Sequence, residues 1–201
     1  MVEQSEIPEG VHEHHPHGDG FRRWAAIYLG VVAMLLAIAS LGGSHVTKEM
    51  INANIEAADT YSFAQAKYLR ATAYQLAADQ MEFDLNHLPG LSDAGKAKAA
   101  ERVEHYRSNA ARYESDPKTG EGRQELLAKA KEWEHRRDAA SARDPNFEVA
   151  AALFQIAIVL GSVSIVALSP PLLGLSAVLA AIAVVLMING YFPFFPFPSI
   201  G

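Results

Sequence analysis

The 201-residue sequence has no cysteine. Disulfides, iron–sulfur clusters and thiol catalysis are therefore excluded, though this does not choose between cytoplasm and periplasm. It also lacks a basic excess: 17 Lys and Arg stand against 23 Asp and Glu, for a net charge of -6. A nucleic-acid binder would need a cationic face to meet phosphates, so no nucleic-acid partner is expected. Two long stretches have no charge at all, Trp24 to Leu41 and Val149 to Gly201, and Val46 to Asp84 has neither proline nor glycine. No nucleotide-binding loop, nucleophile constellation or metal-ligand spacing is present. The chain is expected to be no enzyme and to use no cofactor.

Half of the sequence is apolar, concentrated in three blocks. A hydrocarbon core of about 30 Å needs about 20 apolar residues in a helix. Trp24 to Leu41 meets this, giving a span over 22–43. Arg22 and Arg23 before it also fit a secretory signal, but the apolar run exceeds the usual signal length of about 7 to 15 residues. The uncharged C-terminal region holds two more spans, 147–169 and 170–192, turned at Ser169, Pro170 and Pro171 into a hairpin. Small residues recur at helical steps: Ala26, Gly30, Ala33, Ala37 and Ser40; Ala157, Gly161 and Ser164; Gly174, Ala177 and Ala181. Such faces let helices approach closely, although small residues are common in membrane helices anyway. Gln155 and Asn189 are the only carboxamides within the hairpin spans. Within the uncharged runs of these spans, Trp24 to Leu41 and Val149 to Tyr191, there is no Asp, Glu, Lys, Arg or His, which counts against a pump or ion-coupled transporter.

Between the first span and the hairpin lies a polar region, 44–146. Gly42 and Gly43 are expected to form a hinge, after which Ser44 or Thr47 caps a new helix with Glu49 in its first turn. Ile51, Ile55, Ala58, Phe63, Leu69, Ala73, Leu76 and Phe83 recur at near-helical spacing as its apolar face. A turn at Asn86, Pro89, Gly90 and Ser92 leads to a helix from Asp93 to Ser115, with Ala99, Val103, Tyr106, Ala110 and Tyr113 inward. Asp116, Pro117, Gly120 and Gly122 turn the chain again, into a helix from Glu121 to Arg143 with Leu126, Ala130, Trp133 and Ala140 inward. Asp144 and Pro145 end it. These helices predict an antiparallel helical bundle or a coiled-coil-like hairpin. The stripes are thin and alanine-rich, and oligomerisation would bury them further. Charges of alternating sign read as a solvated surface, and His45, His87, His105 and His135 show no ligand pairing.

The ends are distinctive. Residues 1–21 form a polar, Pro- and Gly-interrupted tail expected to be disordered. Its His12, His14, His15 and His17 can ligate zinc, copper or nickel weakly, without the fixed spacing of a structural site. Residues 193–201 close an aromatic-proline ending in which Phe192, Phe194, Phe195 and Phe197 suit either the membrane interface or a groove on a neighbouring protein.

Arg22 and Arg23 before the first span place the N-terminus in the cytoplasm and the helical domain in the periplasm. Lys48, Arg136, Arg137 and Arg143 argue for the reverse orientation. The expected fold is thus an all-α membrane protein: an N-terminal transmembrane helix, an extramembrane helical bundle or coiled-coil-like domain, and a C-terminal transmembrane hairpin.

LAIASLGGS (Leu36 to Ser44), followed by KEMINANIEAADTYSFAQAKYLRATAYQLAAD (Lys48 to Asp79), resembles an uncharacterised bacterial membrane family. A later RYES segment, Arg112 to Ser115, and the hairpin after Phe147 continue the likeness. The resemblance implies three spans in a bacterial inner membrane and transfers no catalytic residue. The function expected is a non-enzymatic accessory or scaffold protein, assembling as a homo-oligomer or as a subunit of a larger membrane complex. Its partners would be the lipid bilayer and other membrane subunits or itself. A small homo-oligomeric channel, hinged at Gly42 and Gly43, is the alternative.

Overall fold

A computed structural model describes residues 16–87, 90 and 92–195, and only the backbone of 16–19. Five helices follow one another: α1 (Pro16–His87), α2 (Asp93–Glu114), α3 (Arg123–Ser141), α4 (Asp144–Ala167) and α5 (Pro170–Tyr191). No strand occurs among the described residues. Three helical stretches are long and apolar enough to cross a membrane: Gly20–His87, Arg123–Ala167 and Pro170–Tyr191. The chain divides into two units, Met1–Ser44 with Arg143–Gly201, and His45–Ala142.

α1 departs from expectation at both its start and its middle. It begins at Pro16, inside the tail expected to be disordered through residue 21. It also runs unbroken through Gly42 and Gly43, where a hinge and a fresh N-cap at Ser44 or Thr47 were expected. Glycine costs a helix interior about 1 kcal/mol relative to alanine, which weakens a helix without stopping it. A stop needs a proline or a cap, and no proline lies between Pro16 and Pro89. The helix ends at His87, close before Pro89, whose preceding residue is disfavoured in helical conformation. There His87 Nδ1 donates to the Phe83 carbonyl at 2.9 Å.

The shorter helices have local signals. Ser92 caps α2, its hydroxyl accepting from the Gly95 N–H at 3.2 Å. Between α2 and α3, Gly120 takes a φ of +70°, a left-handed conformation that costs glycine little. The Glu125 carboxylate reaches back across this turn, accepting from the Ser115 hydroxyl at 2.7 Å and the Asp116 N–H at 3.2 Å. A Cβ on Gly122 would collide with that carboxylate and with the Asp116 nitrogen. Pro145, expected to close the preceding helix, instead opens α4: in a first turn its missing N–H leaves no partner wanting.

Within the second unit α2 and α3 lie in series along one side of α1, both antiparallel to it. Arg107 of α2 pairs with Glu82, and Tyr106 and Tyr113 pack on Tyr74 with ring centroids 5.8 and 5.7 Å away. Further along, Arg123 lies over the Tyr68 ring at 5.2 Å, and Tyr61 donates to Glu134 at 3.0 Å. A core shared by three helices is therefore not what these contacts describe.

The seam of this hairpin is alanine-rich: Ala53, Ala57, Thr60, Ala64, Ala71 and Ala78 are buried on α1, with Val103 and Ala110 on α2 and Ala130 on α3. Small side chains allow the close approach into which the tyrosine rings fit at the edges. The larger apolar residues expected to face inward on α1, from Ile51 through Leu69 and Leu76 to Phe83, are exposed.

Candidate assembly site

The first unit packs α1, α4 and α5 together. Its hairpin turns at Leu168, which takes the left-handed φ of 50°, and Ser164 donates its hydroxyl to the Ser169 carbonyl at 3.1 Å. Prolines then open α5, where their lack of an N–H is harmless. Deeper in, Ser176 donates to the Ala157 carbonyl at 2.6 Å. That uses its one proton, so the Tyr28 hydroxyl, 2.9 Å away, donates to Ser176. One serine thereby joins all three helices. Beside it Gly161 makes room for Leu29, whose Cδ2 lies 2.5 Å from where a Cβ would be. Interhelical hydrogen bonds of this kind contribute about 0.6–2 kcal/mol in a bilayer.

At the other end of the unit, Phe147 is buried between two glycines. A Cβ on Gly190 would lie 2.8 Å from its Cε2 and Cζ, and one on Gly42 would collide with its Cε1. Tyr191 meets the ring edge-on at 4.9 Å, and its hydroxyl donates to the Ile38 carbonyl at 3.2 Å. Next to this ring Asn189 is buried and uses its whole amide. Its Nδ2 donates to Asn146 Oδ1 at 2.8 Å and to the Phe195 carbonyl at 3.1 Å, while its Oδ1 accepts from the N–H groups of Phe194 and Phe195 at 2.9 and 3.1 Å. A buried amide left unpaired would cost about 1–3 kcal/mol, so this saturation fixes where the end of α5 folds back.

The sequence-predicted residues fall out unevenly. Ala157 and Gly161 are buried between helices. Ala26, Gly30, Ala33 and Ala37 are exposed, as are Gly174 and Ala181, with nothing within 4 Å of a Cβ on Gly30 or Gly174. The faces packed within the protomer are the neighbouring ones, Ala25, Val32 and Ala39 on α1 and Ser176, Ala180 and Ala183 on α5. Ser176, whose hydroxyl must find an acceptor, selects the α5 face. Gly42 and Gly43 accommodate Phe147 rather than bend. Asn189 stands out in the sequence by its polarity, whereas Asn146, Phe147 and Gly190 carry no signal beyond their residue types.

Phe192, Phe194 and Phe195 are exposed at the end of α5, while Phe197 lies outside the described residues. So do His12, His14 and His15, and for His17 only the backbone is described, within α1.

In the second unit, a groove of about 810 Å³ is lined by His45, Lys48, Glu49, Glu56, Trp133 and Arg136, among others. Its two cations are matched by two carboxylates, so it selects no ligand charge. Among the described residues no three His, Asp or Glu side chains gather to hold a metal. The shifted titrations follow local hydrogen bonds. The bond to Glu134 pushes the Tyr61 phenol up, Ser115 holds the Glu125 carboxyl down, and Thr119 does the same for Asp116.

Together these features define an all-helical protein with three helices long and apolar enough to cross a membrane. A family described as "Domain of unknown function (DUF4337)" matches residues 21–193, and the chain belongs to it. No curated protein and no solved structure matches the chain.

Proposed function

We propose that the protein is a non-enzymatic scaffold or accessory protein of a bacterial inner membrane, assembling with itself or within a larger membrane complex. In this reading α1 supplies the first span and α4 and α5 the C-terminal hairpin, with the second unit outside the bilayer. The N-terminus is cytoplasmic and the second unit periplasmic.

The observation carrying this reading is how the first unit divides its surface. Inward, its polar side chains are used up between its own helices, as at Ser176 and Asn189. Outward it offers apolar side chains such as Ile27, Met34, Val159, Val178 and Val185, all exposed. A site for chemistry or ion passage would need polar groups held in reserve, whereas an anchor and packing surface needs none. The channel alternative gains no support at Gly42, where Phe147 fills the space a hinge would use. The exposed Phe192, Phe194 and Phe195 fit docking on a neighbour or at the membrane interface.

The test is extraction of native membranes in mild detergent, with identification of whatever stays bound. Companions or a homo-oligomer are expected. A lone monomer, or ion flux through liposomes holding only this protein, would overturn the reading. Single-cysteine labelling from either side of the membrane, simple in a chain without native cysteine, tests the orientation.

A further inference from the structure

In the second unit, α1 has a second apolar row on the side away from α2 and α3. Ile55, Ser62, Leu69, Leu76 and Phe83 follow one another at steps of seven residues, with Ile51 and Ala58 completing the flank. Four of the five are large and apolar, and Ile55, Leu69, Leu76 and Phe83 are 52%, 60%, 68% and 58% exposed. The row runs about 42 Å at 1.5 Å per residue.

The spacing limits what can cover it. On a straight helix a seven-residue row drifts by about 20° per heptad, and pairing with another helix in a left-handed supercoil keeps it in one line. A flat lipid surface imposes no such repeat, and interfacial helices flank their apolar face with Lys and Arg. Here the only cations between Asp59 and Asp79 are Lys67 and Arg70, which lie 5.7 and 6.0 Å from the Tyr113 ring on the packed side. The row is left without charge of either sign over its central heptads. Such a seam cannot select a partner by opposite charge, but it meets its own copy without repulsion.

From this we infer that the outer row of α1 is a homodimer interface, in which two copies pair their α1 helices parallel and in register. The inference rests on the assembly reading above and names its partner. Copies inserted in one bilayer share one orientation, which selects the parallel arrangement. In register, Ile55, Leu69, Leu76 and Phe83 each meet their own counterpart across a two-fold axis, and only Ser62 interrupts the row.

Single-cysteine variants test this in the full-length protein in its own membrane. Ile55→Cys, Leu69→Cys and Phe83→Cys, each alone, should give disulfide-linked dimers on mild oxidation, because counterparts at such positions come within disulfide reach. Lys98→Cys on the exposed side of α2 should not. Leu69→Glu combined with Leu76→Glu should keep the helical content and lower the dimer fraction at least tenfold. Cross-linking at only one of the three positions would mean an antiparallel or staggered pair and overturn the proposal. No cross-link at any of them, with other membrane proteins still recovered, would overturn the proposal and leave the scaffold reading standing. No cross-link and no companions would remove both.

Discussion

Two glycines of α1 should respond to the same substitution with opposite sign. Gly30 has nothing within 4 Å of its missing Cβ, so Gly30→Ala should stabilise the helix by up to about 1 kcal/mol through propensity alone. At Gly42 the added methyl would collide with Phe147 Cε1 and lie 2.8 Å from the Tyr191 hydroxyl and 2.9 Å from Phe147 Cδ1. The ring has little room to retreat, because its far edge lies so close to Gly190 that even a Cβ built there would be only 2.8 Å away. Overpacking of this kind costs about 1–3 kcal/mol. With the contacts this tight the upper part of that range applies, and the propensity gain leaves a net loss of about 1–2 kcal/mol, or roughly 5- to 30-fold in the unfolding equilibrium. The assay is detergent-induced unfolding in micelles, followed by helical circular dichroism. Phe147→Ala, itself destabilising by about 3–5 kcal/mol, supplies the cross-check. In that background Gly42→Ala should turn neutral or stabilising, since the obstacle is gone. If Gly42→Ala stabilises the native protein as Gly30→Ala does, Phe147 does not occupy that space and the packing described for the first unit is wrong.

Asn189→Leu should cost about 2–4 kcal/mol, because it leaves Asn146 Oδ1, the Phe195 carbonyl and the N–H groups of Phe194 and Phe195 without their partner. A lower melting temperature and faster thiol labelling of Phe195→Cys would register it. On the alanine seam, Ala64→Leu should destabilise the second unit by about 1–3 kcal/mol, as Ala64 is itself buried, while Leu69→Ala should leave the melting of the monomeric protomer nearly unchanged. In acid, Glu125 and Asp116 both have folded pKa values below their ordinary ones, held there first by Ser115 and by Thr119. Their contribution is therefore present above the ordinary carboxylate values of about 4 and is lost as pH falls through the lowered folded values. Melting curves taken from pH 7 downwards should drop in that window, and Glu125→Gln should melt lower at pH 7 and show a shallower acid slope.

What the sequence made legible is what depends on composition over a window. The uncharged runs mark the helices apolar enough to span a membrane. The turns at Ser92 and Gly120 are set by chemistry within a few residues, and the inward residues of α2, such as Val103 and Ala110, follow from one strong period. The failures share a cause as well. On α1 two faces repeat at helical spacing, one of alanines and one of larger residues, and weighting by hydrophobicity selects Ile55, Leu69 and Leu76 over Ala57, Ala64 and Ala71. Which face packs is decided by how closely α2 and α3 can approach, and nothing local to α1 encodes that. The glycine pair follows the same rule: flexibility is a property of glycine alone, whereas the absence of a side chain at Gly42 has meaning only through Phe147, over a hundred positions away.

The choice of alanine for the inner seam has an energetic consequence. Burying a methyl-sized side chain contributes about 0.8 kcal/mol, and fully burying a Leu, Ile or Phe about 1.5–3 kcal/mol. Ile55, Leu69, Leu76 and Phe83 each leave half or more of their surface exposed, so covering them would contribute roughly 3–6 kcal/mol per protomer. That is comparable to what the buried alanines of α1 contribute to the hairpin itself. An antiparallel hairpin covers one side of α1, however well its seam fits, and turning α1 to bury the larger residues would widen the spacing that lets Tyr106 and Tyr113 pack on Tyr74. The apolar surface of this unit is thus divided between a close seam made within one chain and an open row of comparable weight on the opposite side of α1.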